Sequence, residues 1–268
     1  VWRGANALEY GANGLGGAVN FVSPTGLTAP TAALRVQGGS FGQRQAHANL
    51  AAHGERVDGF LSVSRGQQDG WRQQSGYRAD RVSGNVGVQL SDSLALRGFL
   101  SYVDSVMHMP GSLTRAAFDA NPRQAGPNYV ALKATNDFTQ KRGALRLTWQ
   151  PNADVRWTTS LYGADRDRFH AMTVGILEQG MRDSGLDSRL AVEFGSPTLT
   201  RRLVAGVSFA RVSGNEWRST NVGGSAGTAT GRTQLKARQN TAYAEYTHGL
   251  TERWAVQAGV QAVQARRQ

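Results

Sequence analysis

From about residue 32 onward, apolar and polar side chains alternate in segments of about 9 to 13 residues, each closed by a turn-rich break. A period of two puts successive side chains on opposite faces of an extended strand, so these segments cannot collect their apolar residues on one side of a helix. Gly143, Leu145, Leu147 and Trp149 fall on one face, against Arg142, Ala144, Arg146, Thr148 and Gln150. The next segment sets Val155, Trp157, Thr159 and Leu161 against Arg156, Thr158, Ser160 and Tyr162. Leu94, Leu96, Leu100 and Tyr102 likewise oppose Arg97, Phe99 and Ser101. Eleven such segments, near 32–39, 43–53, 57–66, 79–90, 94–106, 139–150, 154–167, 186–195, 201–213, 237–249 and 254–265, predict an all-β, antiparallel chain.

Composition narrows what the strands can build. Among 268 residues there are 33 glycines, 7 prolines and no cysteine, with 18% charged residues. Without cysteine there are no disulfides, thiolate metal sites or cysteine nucleophiles. The net charge of +11 is spread along the chain instead of forming a run, which argues against a nucleic-acid-binding tail. It favours anionic partners such as lipopolysaccharide phosphates or a negatively charged ligand. The longest nearly apolar stretch, 203–210, is far short of the roughly 18 residues of a helical span, so any membrane crossing must use strands.

Parity then decides which face could meet lipid. An arginine on the lipid side of a barrel costs about 2 to 4 kcal/mol near the midplane. Arg97, Arg142, Arg146 and Arg156 all sit opposite their aliphatic neighbours and fit a wet interior. A soluble β-sandwich also alternates, but the breaks favour a barrel. Short ones near 54–56, 91–93, 151–153, 196–200 and 250–253 alternate with long ones near 66–78, 108–138, 168–185 and 214–236. Up-and-down transmembrane barrels have this asymmetry of turns. Trp149, Trp157 and Trp254 flank the short breaks, where an aromatic girdle is expected. An odd strand number, a strand-like pattern running toward Gln268 and a start at Val1 without initiator or signal peptide predict a piece of a longer chain. It would be the first half of an antiparallel transmembrane β-barrel of about 22 strands.

The first residues differ. Arg3-Gly4, Tyr10-Gly11 and Gly16-Gly17-Ala18-Val19-Asn20 bracket a glycine-rich bend that also contains Gly14. This stretch resembles the end of the plug domain in TonB-dependent outer-membrane receptors, and Gly38-Gly39-Ser40-Phe41-Gly42 resembles that family's first external hairpin. Arg3-Gly4-Ala5-Asn6-Ala7-Leu8 with Asn20-Phe21-Val22-Ser23-Pro24-Thr25-Gly26 is most similar to the ferric citrate and ferric siderophore branch. The resemblance implies that residues 1–27 end a plug and 28–268 form the N-terminal half of a barrel. It implies a Gram-negative outer-membrane location and TonB, with its inner-membrane energising complex, as partner. It also implies uptake of a chelated nutrient, foremost a ferric siderophore, with no covalent chemistry and no cofactor. Cobalamin, haem, another metal chelate or a glycan are alternative cargoes. A soluble all-β binding or adhesin module, or a barrel hydrolase, are readings from other classes.

Site residues follow from the same resemblance. Arg3 and Gly4 match the plug's Arg-Gly step, whose arginine is expected to pair with inner-wall glutamates; strand parity nominates Glu193 and Glu245. Gly11, Gly14, Gly16 and Gly17 would form the plug's glycine turn. A negatively charged ferric chelate would be held on external loops, with Arg72, Arg78, His108, Arg115, Arg123, Tyr129, Arg168, His170, Trp217 and Arg218 as candidates. The glycine run is no dinucleotide loop, because Val19 replaces the third glycine. His47 and His53 lie about 20 Å apart along one strand and cannot share a metal. Asp165 and Asp167 share a face, where a calcium site competes with ordinary ion pairing.

Overall fold

A computed structural model describes residues 20–196 and 199–268. Eleven strands form one open sheet in sequence order, every neighbouring pair antiparallel. They are β1 (Ala32–Gly38), β2 (Arg44–His53), β3 (Val57–Gln68), β4 (Tyr77–Ser91), β5 (Leu94–Met107), β6 (Thr135–Trp149), β7 (Val155–Met172), β8 (Gly175–Ser196), β9 (Leu199–Val222), β10 (Ser225–Gly249) and β11 (Ala255–Arg267). Two short helices, α1 (Arg115–Ala120) and α2 (Pro127–Ala131), lie in the β5–β6 connection.

The sheet's two faces are told apart by the N-terminal segment. Asn85 Nδ2 donates to the Pro24 carbonyl at 2.8 Å, and the Gly26 amide donates to Asp58 Oδ1 at 2.9 Å. We call the face carrying Asp58 and Asn85 inner. Pairing register carries that face across the sheet through Gly87, Arg97, Arg146, Ser160, Asp187, Ser208 and Thr241. Every arginine assigned above to the wet face lies on it.

The outer face has a repeating vertical order. Outward side chains run Val57, Gly59, Leu61, Val63 and then Arg65 on β3, and Leu96, Gly98, Leu100, Tyr102 and then Asp104 on β5. On β7 they run Trp157, Thr159, Leu161, Gly163 and then Asp165, and on β9 Leu203, Ala205, Val207, Phe209 and then Arg211. Neighbouring strands follow this order: Arg65 faces Asp80 and Asp80 faces Asp104, Lys141 faces Asp165 and Asp165 faces Arg182, and Arg211 faces Arg238, while the row steps by one outward position between β5 and β6, where Asp104 faces Thr139, and between β8 and β9, where Arg211 faces Ser184. A belt of mostly apolar and glycine positions, about 26 Å along each strand, is thus bounded above by a stepped row of charges. Leu100 is 73% exposed on this belt, so its apolar groups have no cover from the chain itself.

Below the belt stand aromatic rings. Trp149 and Trp157 pack edge to face at 6.5 Å, and Trp157 Nε1 donates to Ser188 Oγ at 2.8 Å. Phe194 stacks on Tyr246 at 6.2 Å, adding two rings to the row expected from tryptophans alone. Trp254 stands beside the β10–β11 turn, where its carbonyl accepts from the amides of Leu250 and Thr251.

The strand number agrees with the periodicity, but the long breaks need correction. Segments 168–185 and 214–236 are not loops: β7 continues to Met172, β8 begins at Gly175, β9 runs to Val222 and β10 begins at Ser225. Only residues 173–174 and 223–224 separate these strands. Gly223 and Gly224, at φ 58° and 94°, supply the two positive-φ positions that a tight hairpin with right-handed twist demands. Above the charged row apolar residues such as Ile176 and Leu177 fall on both faces among polar ones, so apolar alternation ceases while backbone pairing continues.

Candidate functional site

The functional surface is the inner wall with the rim above it. On the inner face of β6 and β7, Arg142, Arg146, Arg156, Arg166 and Arg168 share one side with no acidic residue among the inward positions of either strand. Arg97, directly opposite Arg146, is committed elsewhere: it donates to Asp58 Oδ1 and Oδ2 and to Asn85 Oδ1. Arg146 stays exposed, with its guanidinium 5.2 Å from the Phe99 ring and its Nε 3.4 Å from Ser160 Oγ. A planar cation stacked on an aromatic face and free on its other edge suits an anionic ligand.

Higher on β7, Arg168 donates to Asn136 Oδ1 at 2.8 Å and lies 3.1 Å from His170 Nδ1. Burial first, and then the neighbouring Arg168 charge, push the His170 pKa below its usual range, which keeps the imidazole neutral.

The rim is tied together by side chains bonding to backbone. Arg72, between β3 and β4, donates from Nε and Nη2 to the Gln124 carbonyl at 3.1 and 2.9 Å, and from Nη1 to the Gly111 carbonyl at 2.8 Å. Asn221 Nδ2 donates to the carbonyls of Leu132 and Met172 at 2.9 and 3.0 Å, joining the tops of β7 and β9 to the end of α2. Arg123 lies over the Trp71 ring at 5.9 Å. These bonds make the 108–134 segment a fixed shelf.

The ligand candidates therefore separate. Arg78, Arg168, His170, Trp217 and Arg218 are strand residues and not loop residues, because the strands run past the expected breaks. Arg78 and Trp217 moreover face outward; Arg78 lies 3.7 Å from Asp104, and Trp217 carries Arg232 over its ring at 5.7 Å. Arg168, His170 and Arg218 face inward, and Arg218 is paired with the buried Glu216. Arg72 spends its donors on the shelf. His108 bridges to Thr135, Arg115 pairs along α1 with Asp119 at 2.9 Å, and Tyr129 begins the turn that closes α2. Asp165 pairs with Arg182 at 3.0 Å, and no group of three potential metal-binding side chains exists among the described residues.

Glu193 and Glu245 both project from the inner face, where Glu193 faces Arg202 and Glu245 faces Val204 across β9. Glu193 lies 3.4 Å from Arg202. Arg3, Gly4, Gly11, Gly14, Gly16 and Gly17 lie outside the described residues. The Asp58–Arg97–Asn85 cluster was missed from sequence, since nothing in strand spacing pairs residues 39 positions apart.

These features define an up-and-down antiparallel barrel wall with a basic interior. No protein-family model matches the sequence. Its fold is that of half the barrel of TonB-dependent ferric-chelate receptors. The ferric citrate transporter FecA in its unliganded form superposes with a TM-score of 0.80 at 18% identity, over 99% of this chain and 42% of that one. The ferripyoverdine receptor of the outer membrane of Pseudomonas aeruginosa, bound to ferripyoverdine, gives 0.77 at 13% identity, over 99% and 41%. The closed form of the ferric-catecholate import receptor Fiu from E. coli K12 gives 0.75 at 15% identity, over 98% and 45%. This chain thus spans less than half the length of each of these structures.

Proposed function

We propose that this chain forms half the wall of a TonB-dependent outer-membrane transporter that takes up a chelated nutrient, foremost a negatively charged ferric siderophore. The observation that carries this reading is the two-sided wall. A 26 Å strand length at a tilt of about 40° corresponds to about 20 Å of height, close to the ~25 Å apolar band of outer-membrane barrels. Aromatic rings below and charges above are the groups such a band requires at its water boundaries. Inside, the five inward arginines of β6 and β7 outnumber the two inward aspartates of β8 beside them, Asp183 and Asp187, and suit an anionic chelate more than a neutral cargo such as a glycan.

In this reading residues 1–27 end the plug, Arg3 latches onto Glu193 or Glu245, and TonB acts on plug segments nearer the N-terminus. The three aligned structures, a ferric citrate transporter and two receptors for ferric chelates, support the cargo class. The test is accumulation of radioactive iron by a receptor-deficient Gram-negative host expressing the full-length protein. Uptake of an anionic ferric chelate is expected, and it should vanish when TonB is deleted. Arg3→Ala at unchanged surface expression should reduce it; uptake at the parental rate ends the latch role. TonB-independent accumulation, or none from any anionic ferric chelate, ends the transporter reading.

A further inference from the structure

The N-terminal segment meets the wall at a built joint. Gly26 is buried, and its backbone lies so near Ala52 and Gly59 that an added Cβ would overlap both. Its amide donates to Asp58 Oδ1 at 2.9 Å, and two residues earlier the Pro24 carbonyl accepts from Asn85 Nδ2 at 2.8 Å. One guanidinium sets both grips: Arg97 Nη1 donates to Asp58 Oδ1 at 2.9 Å and to Asn85 Oδ1 at 2.6 Å, while Nη2 donates to Asp58 Oδ2. With its amide oxygen held by Arg97, Asn85 turns its nitrogen toward Pro24. Asp58 and Asn85 are both buried. The joint lies at the short-turn end of the wall, where Asp58 is the second residue of β3 and Arg97 the fourth of β5.

Beyond Gly26 the chain folds on itself, with the Thr28 and Ala29 amides donating to the Thr25 carbonyl at 3.2 and 3.0 Å. Among the described residues, the next backbone bond to the wall is the one from the Ala51 amide to the Thr31 carbonyl at 2.8 Å, just before β1. A pull on residues ahead of Pro24 therefore reaches the joint first. A buried ion pair adds little net stability over apolar side chains of the same shape, so its effect here is to fix where the segment stops. Charge-assisted bonds, roughly twice as strong as neutral ones, suit a point that bears load. We infer that Asp58, Asn85 and Arg97 form a mechanical stop: plug movement driven through TonB ends at Pro24, and residues 25–31 stay folded against the wall. This rests on the transporter reading proposed above. Without the stop those seven residues would pay out up to about 24 Å of extra chain, at roughly 3.4 Å each.

The test is single-molecule force spectroscopy of the full-length protein in a lipid bilayer, drawn out by its N-terminus. The unmodified protein should show a rupture peak at the contour length that ends at Pro24, before the peak at which β1 peels away. Asp58→Asn combined with Asn85→Leu should abolish the first peak, so that extension runs on by about 24 Å to the second. Asn85→Leu alone, which leaves the pair of Asp58 and Arg97 in place, should lower the first peak without removing it, and it decides the matter if the double variant does not fold. No peak at Pro24 in the unmodified protein, or the same peak at the same force in the variants, overturns the stop. Iron accumulation that is independent of TonB removes the transporter reading and with it any load on this joint. TonB-dependent accumulation with unaltered traces from the variants removes the stop alone.

Discussion

Replacing Asp58 by alanine should be the most damaging single change in the inner wall. The Asp58 side chain is 8% exposed and that of Arg97 21%, so both are largely withdrawn from water. Asp58 accepts from both terminal nitrogens of Arg97 and from the Gly26 amide. Removing one partner of such a pair leaves a poorly solvated charge and costs about 3 to 5 kcal/mol. Asp58→Asn keeps the shape and an acceptor for Gly26 but loses the charge, so about 1 to 3 kcal/mol is expected, the worth of charge-assisted bonds. Asp58→Ala combined with Arg97→Ala should cost less than the two single losses together, with a coupling of about 2 kcal/mol. Guanidinium unfolding of the barrel, followed by tryptophan fluorescence, measures each variant. If the single losses add to the double within about 0.5 kcal/mol, the two residues act independently and the cluster does not pin the N-terminal segment.

Other changes probe other parts. Gly26→Ala places a methyl carbon 2.2 Å from the Ala52 carbonyl oxygen and 2.6 Å from the Gly59 amide nitrogen, so residues 24–26 must shift. A loss of about 1 to 3 kcal/mol and faster protease cleavage near residue 26 are expected; parental cleavage would contradict that close approach. Arg72→Ala should loosen the 108–134 shelf, seen as faster amide exchange there, and Arg72→Lys should restore it only in part because a lysine lacks the fork that reaches two carbonyls. Arg142→Gln with Arg146→Gln should weaken binding of an anionic ferric chelate by at least about ten-fold while sparing a neutral one, as expected for losing charged hydrogen bonds. An equal effect on both chelates would show that the arginines act through structure. Trp157→Ala should cost about 1 kcal/mol in lipid, from the lost edge-to-face contact with Trp149 and the bond to Ser188.

Strand number, strand order and the facing of each side chain were legible because they follow from local chemistry. A period of two is imposed wherever one face meets an apolar surface and the other meets water, and that condition holds from Val57 to Val63 and from Leu203 to Phe209. It ceases above the charged row, so the upper parts of β7 to β10 resemble loops in sequence although their backbones pair there, with register shifts in β10 between Ala226 and Gly231. The girdle was read from tryptophans alone, and Phe194 and Tyr246 escaped because their stacking depends on strand stagger.

By itself the sequence determined an antiparallel meander with arginines on one face and aliphatic residues on the other, since alternation along each strand requires no knowledge of its neighbour. Only the tertiary structure decided which residues at one height meet. Register brings Asp58 to Arg97, the fold of the rim hands the donors of Arg72 to backbone carbonyls, and the β9–β10 hairpin, far tighter than the sequence pattern indicates, sets Arg211 opposite Arg238. Those encounters join residues tens of positions apart, and cross-strand pairing leaves no period along a single strand from which to read them.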